Sequence, residues 1–333
     1  MKAVVLVGGF GTRLLPLTLT RPKQMLPVVN RYMIERVVEH LGAHGVDTVV
    51  LSLGYRPDAF VDAYPDSTCA GVRLHYAVEP TPLDTAGAIR FAARHAGVDE
   101  RFLVVNGDVL TDLDITALLA VHEASGAEGT IALHRVEDPS AFGVVPTASD
   151  GRVTAFIEKP PRDEAPTDLI NAGTYVLEPT VIERIVPDIP VNVERVTFPA
   201  MVLDGTLYAV DGDTYWIDAG TPATYLAANL DLISGRRGRP EAGVHPSASV
   251  SGRIDGAVIG AGVTVAAGAS VTRSVVLPGA VVREGAVVCD AIVGARAIVG
   301  SDARVQDGSV IGDDTSIPAG TSLSGRRVPE AAT

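Results

Sequence analysis

From about residue 244 onward an apolar side chain returns every six positions: Ile259, Val265, Val271 and Leu277, then Val293, Val299, Val305, Ile311, Ile317 and Leu323. Gly or Pro often follows, at Gly260, Pro278, Gly294, Gly300, Gly312 and Pro318. A six-residue apolar period with small residues at the corners is the pattern of a parallel β-helix. The phase slips between 277 and 293, which predicts a loop or an irregular coil there. The repeats are expected to fill 244–325.

The first 233 residues follow a different pattern. KAVVLV, DTVVLSL, VRLHYAV and RFLVVN read as buried strands. YMIERVVEHLGAHG, PDAFVDAY and TAGAIRFAARHAG between them carry the three-to-four spacing of helices lying on a sheet. Strands separated by helices imply right-handed crossovers and a mostly parallel, Rossmann-like mixed sheet, an α/β domain over 1–233. Ligands of such sheets sit at the carboxyl ends of the strands. The stretch SGRRGRPEAG, 234–243, lacks apolar periodicity and reads as a linker. With 333 residues, two domains are the natural division.

Composition narrows the partners. A net charge of −13 argues against nucleic acid, because phosphate backbones would be repelled by the average surface. Cys69 and Cys289 stand alone, without metal-ligand spacing, which fits a reducing, cytoplasmic setting. The run AVVLV at 3–7 is too short for a signal-peptide core, and no stretch reaches the ~18 apolar residues of a membrane span.

Behind the first strand comes LVGGFGTRLLPLTLTRPKQMLP, residues 6–27. The P-loop template fails because no Lys follows the glycines. The dinucleotide fingerprint fails because Leu14 takes its third glycine position. What remains is a glycine loop whose backbone amides can approach an anion, with Arg13 as a planar fork and Lys23 as a point charge. A tight turn with two solvated cations is the plainer alternative.

GGFGTRLLPLT followed by PKQMLPVVN resembles the opening motif of the sugar-1-phosphate nucleotidyltransferases, the NDP-sugar pyrophosphorylases. The resemblance continues in order through EPTPLDTAGAI, NGDVLTDLDI, FGVVPTASDGRVTAFIEKP, INAGTYVLEP, VERVTFPAMVLDGTLYAV and YWIDAGTPATYLAAN. The repeats behind it resemble the left-handed hexapeptide β-helix, so nearly the whole chain is covered. Among the branches, the spellings LVGG and NGD-LTDLD are most similar to the mannose-1-phosphate guanylyltransferases.

The resemblance implies attack of a sugar-1-phosphate oxygen on the α-phosphorus of a nucleoside triphosphate, with GTP and mannose-1-phosphate as the expected pair. It implies that Gly8, Gly9, Gly11, Thr12, Glu79, Thr85 and Gly87 line the nucleotide. Arg13 would hold its β- and γ-phosphates, and Lys23 would neutralise charge near the α-phosphate. Asp108 and Asp218 would be the carboxylates for Mg²⁺. Gly143, Glu158, Lys159, Asn171 and Thr221 would face the sugar phosphate, although capping of the following helix suits Thr221 better. A carboxylate accepts only, so Glu79 suits the N–H donors on the guanine edge.

Three positions depart from the family pattern: Asp84 where PLGTAG has Gly, Tyr32 where Pro is common, and Asn192 where SVER has Ser. They leave open another sugar or cyclitol phosphate, glucose-1-phosphate among them, with GTP, ATP or dTTP. A non-catalytic regulatory paralogue should lack Arg13, Lys23, Asp108 or Asp218, and all four are present. A β-helix acyltransferase would need a histidine among its coils, where only His245 stands, at their start. Exposed coil ends lead to the expectation of a homo-oligomer, a dimer or tetramer.

Overall fold

The four expected strands form as Lys2–Leu6, Thr48–Leu53, Val72–Val78 and Phe102–Asn106 in a computed structural model that describes residues 1–330. Lys2–Leu6 lies parallel to Thr48–Leu53 on one side and to Phe102–Asn106 on the other. Thr48–Leu53 in turn lies parallel to Val72–Val78. Val4, Val50 and Val104 are fully buried, as expected for strands covered on both faces. Each such side chain stabilises the fold by about 1.5–3 kcal/mol.

Contacts divide the chain into two compact units. One holds Met1–Gly9 and Glu35–Trp216; the other holds Phe10–Ile34 and the chain from Ile217 onward. In the first unit the ten-stranded sheet gains an antiparallel half beyond Phe102–Asn106. Leu169–Leu177 pairs antiparallel with both Phe102–Asn106 and Gly129–Arg135, and Leu207–Asp211 joins Gly129–Arg135 in parallel. Helices Asp58–Ala63 and Asp84–His95 lie where the periodicity puts them, and Met33–Ala43 spans the third expected helix. The pairing of Leu169–Leu177 with Gly129–Arg135 shifts register between Asn171 and Tyr175. Gly173 lies in that bulge at φ +72°, where a Cβ would sit 2.6 Å from Asn106 Nδ2.

In the second unit the repeats wind into three five-stranded parallel sheets, the left-handed parallel β-helix. Successive coils bring Val265 beside Val282, Val282 beside Val299 and Val299 beside Ile317. These valines, with Val271, Val288 and Val305, fill the interior. After Gly260 and Gly300 the coils stack tightly: a Cβ would lie 2.8 Å from Pro278 N and 2.6 Å from Ala319 N respectively. That close approach is why small residues follow the apolar ones.

Of the two forms expected between 277 and 293, a loop or an irregular coil, the loop is absent and the coil is irregular only in the length of its sides. Val281–Val282 and Val287–Cys289 occupy regular places in the ladders. The phase slips because two sides are one residue short: the inward residues run Val271 to Val276 and Val288 to Val293. Arg273 and Asp290, both in left-handed conformation, make those tighter corners and pair with each other. The buried Ser274 hydroxyl donates to Thr272 O (2.7 Å), which also accepts from Asp290 N, and accepts from Ala291 N (3.1 Å), giving that buried amide a partner.

The second unit also contains helix Pro222–Ser234, capped at Gly235 in left-handed conformation. It holds the segment 10–34: Asn229 Oδ1 accepts from Val29 N at 2.9 Å, and the Tyr225 hydroxyl donates to Pro27 O. Cys69 and Cys289 are free thiols. Among the described residues, no helix is long and apolar enough to cross a membrane.

Candidate active site

In the first unit, the candidate residues stand at strand ends. Gly8 follows Lys2–Leu6, and a Cβ there would lie 3.3 Å from Glu79 Oε1; Gly9 faces open space. Glu79 accepts from the Ser52 hydroxyl (2.9 Å) and from Leu83 N (3.1 Å), so its carboxylate is directed by the next strand and by its own loop. Asp108 lies just past Phe102–Asn106 and is 8% exposed. Gly107 N donates to Leu6 O at 3.1 Å, which ties this loop to the end of the first strand.

Thr85 and Gly87 serve a neighbouring loop. The Thr85 hydroxyl accepts from Val193 N (2.8 Å), and a Cβ on Gly87 would lie 3.1 Å from Ile189 O. Gly87 thereby lets the helix Asp84–His95 approach the chain at 189–191, and its own N–H donates to Val191 O. Two of the departures from the family pattern meet here. Asp84 adopts φ +57°, the left-handed conformation that glycine takes without strain. Its carboxylate accepts from Asn192 Nδ2 (3.1 Å) and from Thr85 N (2.6 Å). Asn192 Oδ1 accepts from Glu194 N and Arg195 N, capping the π-turn Val193–Thr197.

The sugar-side candidates also gather in this unit. Gly143 is paired with Glu158 across two short strands, and a Cβ on Gly143 would lie 3.3 Å from Glu158 Oε2. Lys159 Nζ lies 3.2 Å from Glu158 Oε1, with its side chain 59% exposed and its backbone at φ +50°. Asn171 is buried. Its amide donates to the Tyr175 hydroxyl (2.9 Å) and to Glu194 Oε1 (3.1 Å), while its Oδ1 accepts from Gly173 N (2.9 Å). Burial holds the Tyr175 phenol neutral.

Glu194 was absent from the expected set and joins it through these contacts. Burial, then the nearby Glu158 carboxylate, pushes its carboxyl above the ordinary range, and Lys159 acts the other way. Two carboxylates, one lysine and a buried amide form a polar cluster suited to a hydroxylated anion: acceptors for hydroxyl protons, a cation for phosphate. The motif VERVTFPAM, in which Glu194 is the second residue, was the sequence signal available, and the π-turn it forms is of a kind frequent at functional sites. Trp216 donates from Nε1 to Ala172 O (2.9 Å) and stacks on His134, fixing the strand that bears Asn171.

In the second unit, Gly11 takes φ +65° and starts the single 3₁₀ turn Thr12–Leu14. A Cβ on Gly11 would touch Thr18 and Lys23, so the glycine allows the loop to fold back on the base of the Lys23 side chain. Lys23 opens a second 3₁₀ turn, Lys23–Met25. Arg13 is 59% exposed, and its guanidinium reaches Asp218 Oδ2 at the long distance of 3.5 Å. Asp218 Oδ1 accepts from Gly220 N at 2.7 Å. Thr221 caps helix Pro222–Ser234 in a reciprocal capping box with Thr224, as its position predicted.

Asp108 and Asp218 offer hard oxygen donors, the chemistry that Mg²⁺ selects. Among the described residues no group of three or more His, Cys, Asp or Glu could hold a metal by itself. A cation bound with one or two protein carboxylates takes its remaining oxygens from phosphate and water, so either carboxylate, one in each unit, has the chemistry for Mg²⁺ shared with a substrate.

The sequence family described as nucleotidyl transferase matches residues 2–235, and the GMPPB C-terminal domain matches 239–331. A mannose-1-phosphate guanylyltransferase of Mycobacterium tuberculosis is 41% identical over 274 residues, covering 79% of this chain and 76% of that protein. A mannose-1-phosphate guanyltransferase of Schizosaccharomyces pombe is 42% identical over 259 residues, 76% of this chain and 70% of that one. Among solved structures, HddC from Yersinia pseudotuberculosis complexed with GMP-PN superposes with a TM-score of 0.59 at 29% identity, over 68% of this chain and 97% of that one.

Proposed function

Since this chain belongs to the nucleotidyl transferase family, we propose that it transfers GMP from GTP to mannose-1-phosphate, releasing pyrophosphate and forming GDP-mannose. The observation carrying this reading is the 41–42% identity to two mannose-1-phosphate guanylyltransferases across more than three quarters of the chain. In this reading 1–233 is the catalytic part, 234–243 a linker and 244–325 the β-helix.

The phosphate oxygen of the sugar is already an anion at neutral pH, so it attacks the α-phosphorus without a strong base. The bond to the β-phosphate oxygen breaks, and pyrophosphate departs with its electron pair. The difficulty lies in aligning two polyanions, so positioning and charge dispersal carry the rate. Arg13 grips the β- and γ-phosphates. Lys23 offsets charge near the α-phosphate. Gly8, Gly9, Gly11 and Thr12 let the backbone approach the nucleotide, and Glu79 accepts from the guanine edge. Asp108 and Asp218 would be the carboxylates offered to Mg²⁺, which when bound would disperse phosphate charge. Lys159 takes the sugar's phosphate, while Glu158 and Glu194 accept from its hydroxyls, with Asn171 orienting Glu194. Thr85 and Gly87 contribute by shaping the loop that carries Glu194.

A second reading keeps the chemistry and changes the acceptor to another sugar or cyclitol phosphate. The Asp84–Asn192 contact beside Glu194 favours it, since both residues depart from the family pattern. One matrix of GTP, ATP, dTTP, UTP and CTP against phosphorylated sugars, followed by pyrophosphate release with Mg²⁺, tests both. GTP with mannose-1-phosphate is expected to turn over fastest. A clear preference for dTTP would overturn the guanine assignment, and a preference for a different acceptor would establish the second reading. The reading also places the enzyme in the cytoplasm as a homo-oligomer, and light scattering that gave a monomer at micromolar concentration would contradict the assembly.

A further inference from the structure

The β-helix grips the loop that carries Arg13 and Lys23. Asp313 stands at a coil corner with its side chain only 1% exposed. Its carboxylate receives three donors: the Arg21 guanidinium, the Thr20 hydroxyl (2.7 Å) and Ala295 N of the preceding coil (2.8 Å). A second grip lies beside it. Arg327 donates to Leu15 O (3.2 Å), and a Cβ on Gly312 would lie 3.2 Å from the Pro16 ring, so that coil is shaped to admit the loop. These anchors bracket the loop. Leu15 lies two residues after Arg13, and Arg21 two before Lys23.

Around these anchors the loop's own bonds are short-range turns, the Thr18 hydroxyl to Gly11 O (2.9 Å) among them. Its regular structure consists of two single 3₁₀ turns, with Arg13 largely exposed. The Asp313 carboxylate, by contrast, is buried and fully engaged, and a buried charge keeps its partner in place because losing it leaves an uncompensated ion. Ala295 N fixes the direction of the carboxylate from the coil side. The β-helix therefore fixes Arg21, joined to Lys23 through Pro22, while helix Pro222–Ser234 holds the chain farther on at Pro27 and Val29.

Resting on the proposed nucleotide reading, we infer that Asp313 and Arg21 are positioning residues for triphosphate binding. The β-helix thus acts as the rigid backing of the nucleotide loop, beyond any part it plays in assembly. Neither residue touches the nucleotide; both act through Lys23 and Arg13.

The test is equilibrium binding of GTP, pyrophosphate and mannose-1-phosphate to the full chain, with melting temperature measured in parallel. D313N keeps size and one acceptor oxygen while removing the charge. It should weaken GTP and pyrophosphate on the order of ten- to a hundred-fold, the penalty of misplaced groups, with mannose-1-phosphate affinity unchanged. R21Q/D313N removes both charges, leaving no buried ion alone. It should melt near the wild type yet still bind GTP weakly. If the double variant regains melting temperature and GTP affinity together, or if D313N weakens both ligands equally, the pair is merely structural and the inference falls. Wild-type protein that binds neither GTP nor pyrophosphate would overturn the proposed function and this inference with it. Normal wild-type binding that D313N leaves unchanged would overturn the inference alone.

Discussion

Asn171 and Glu158 stand on strands whose register the sheet fixes, whereas Arg13 and Lys23 stand on isolated turns held by coils from the far end of the sequence. The carboxylates proposed for the sugar side are half-buried, Glu194 braced by the Asn171 amide and Glu158 paired with Lys159, while the Arg13 fork is exposed and only loosely paired. A hydroxylated ring must be read by fixed acceptors, since a misplaced hydrogen bond leaves a buried group unpaired. A triphosphate is flexible and highly charged, so long cationic side chains can meet it as it arrives, provided their loop is anchored. Rigidity is thus built in where shape is read and supplied from outside where charge is gathered.

That contrast can be broken most severely at the carboxylates proposed for Mg²⁺. Asp108→Ala or Asp218→Ala should reduce kcat about a thousand-fold, with a much smaller effect on GTP affinity; steady-state turnover against calorimetric binding separates the two. Comparable losses in both would mean that these acids only hold the fold.

The sugar side offers the next largest effect. Glu194→Gln should raise the KM for mannose-1-phosphate roughly ten-fold, the worth of a hydrogen bond to a charged group, and leave the KM for GTP alone. Because burial and Glu158 raise the Glu194 carboxyl, it takes up a proton at higher pH than an ordinary glutamate. The wild-type KM for the sugar phosphate should therefore climb as pH falls toward the acid side, and the Gln variant should show a flatter profile. The stability contribution has the opposite sense. A raised carboxyl favours the fold below its unfolded value, and that advantage is lost as pH rises through the folded value. Glu194→Gln should accordingly melt no lower than wild type at neutral pH.

A smaller effect distinguishes capping from contact. Thr221→Ala should destabilise helix Pro222–Ser234 by about 1 kcal/mol, seen as a lower melting temperature, with the sugar-phosphate KM unmoved. A changed KM at constant stability would return Thr221 to the ligand.

The smallest belongs to the Asp84–Asn192 contact. D84G and N192S should each shift the preference among sugar phosphates only a few-fold, since an exposed contact is worth under about 1 kcal/mol. The double variant should differ from the product of the singles, and strict additivity would show that the two positions do not communicate.

Much of this was legible beforehand, for reasons that differ by region. The strands at 2–6, 48–53, 72–78 and 102–106 declare themselves because burial on both faces demands unbroken β-branched runs. The coils declare themselves because each side must place a side chain inward. The same rule misled at 277–293, where a side can be one residue short if Arg273 or Asp290 turns left-handed, and spacing alone makes that resemble a loop. Thr85 and Gly87 could be found by motif, but their packing against 189–193 depends on a contact over a hundred residues away. Glu194 stood in the motif VERVTFPAM, but a π-turn has no periodic signature, and only folding brings Asn171 to it.

Asp84 holds a backbone shape that glycine adopts freely and that most side chains resist by roughly 1 kcal/mol or more. The Asn192 amide helps to offset that strain, so each residue is worth more in the other's presence. Serine at 192 would withdraw that amide and leave Thr85 N as the donor that steadies the Asp84 carboxylate. Glycine at 84 should therefore tolerate serine or asparagine at 192 alike, whereas aspartate at 84 should lose stability when asparagine gives way to serine.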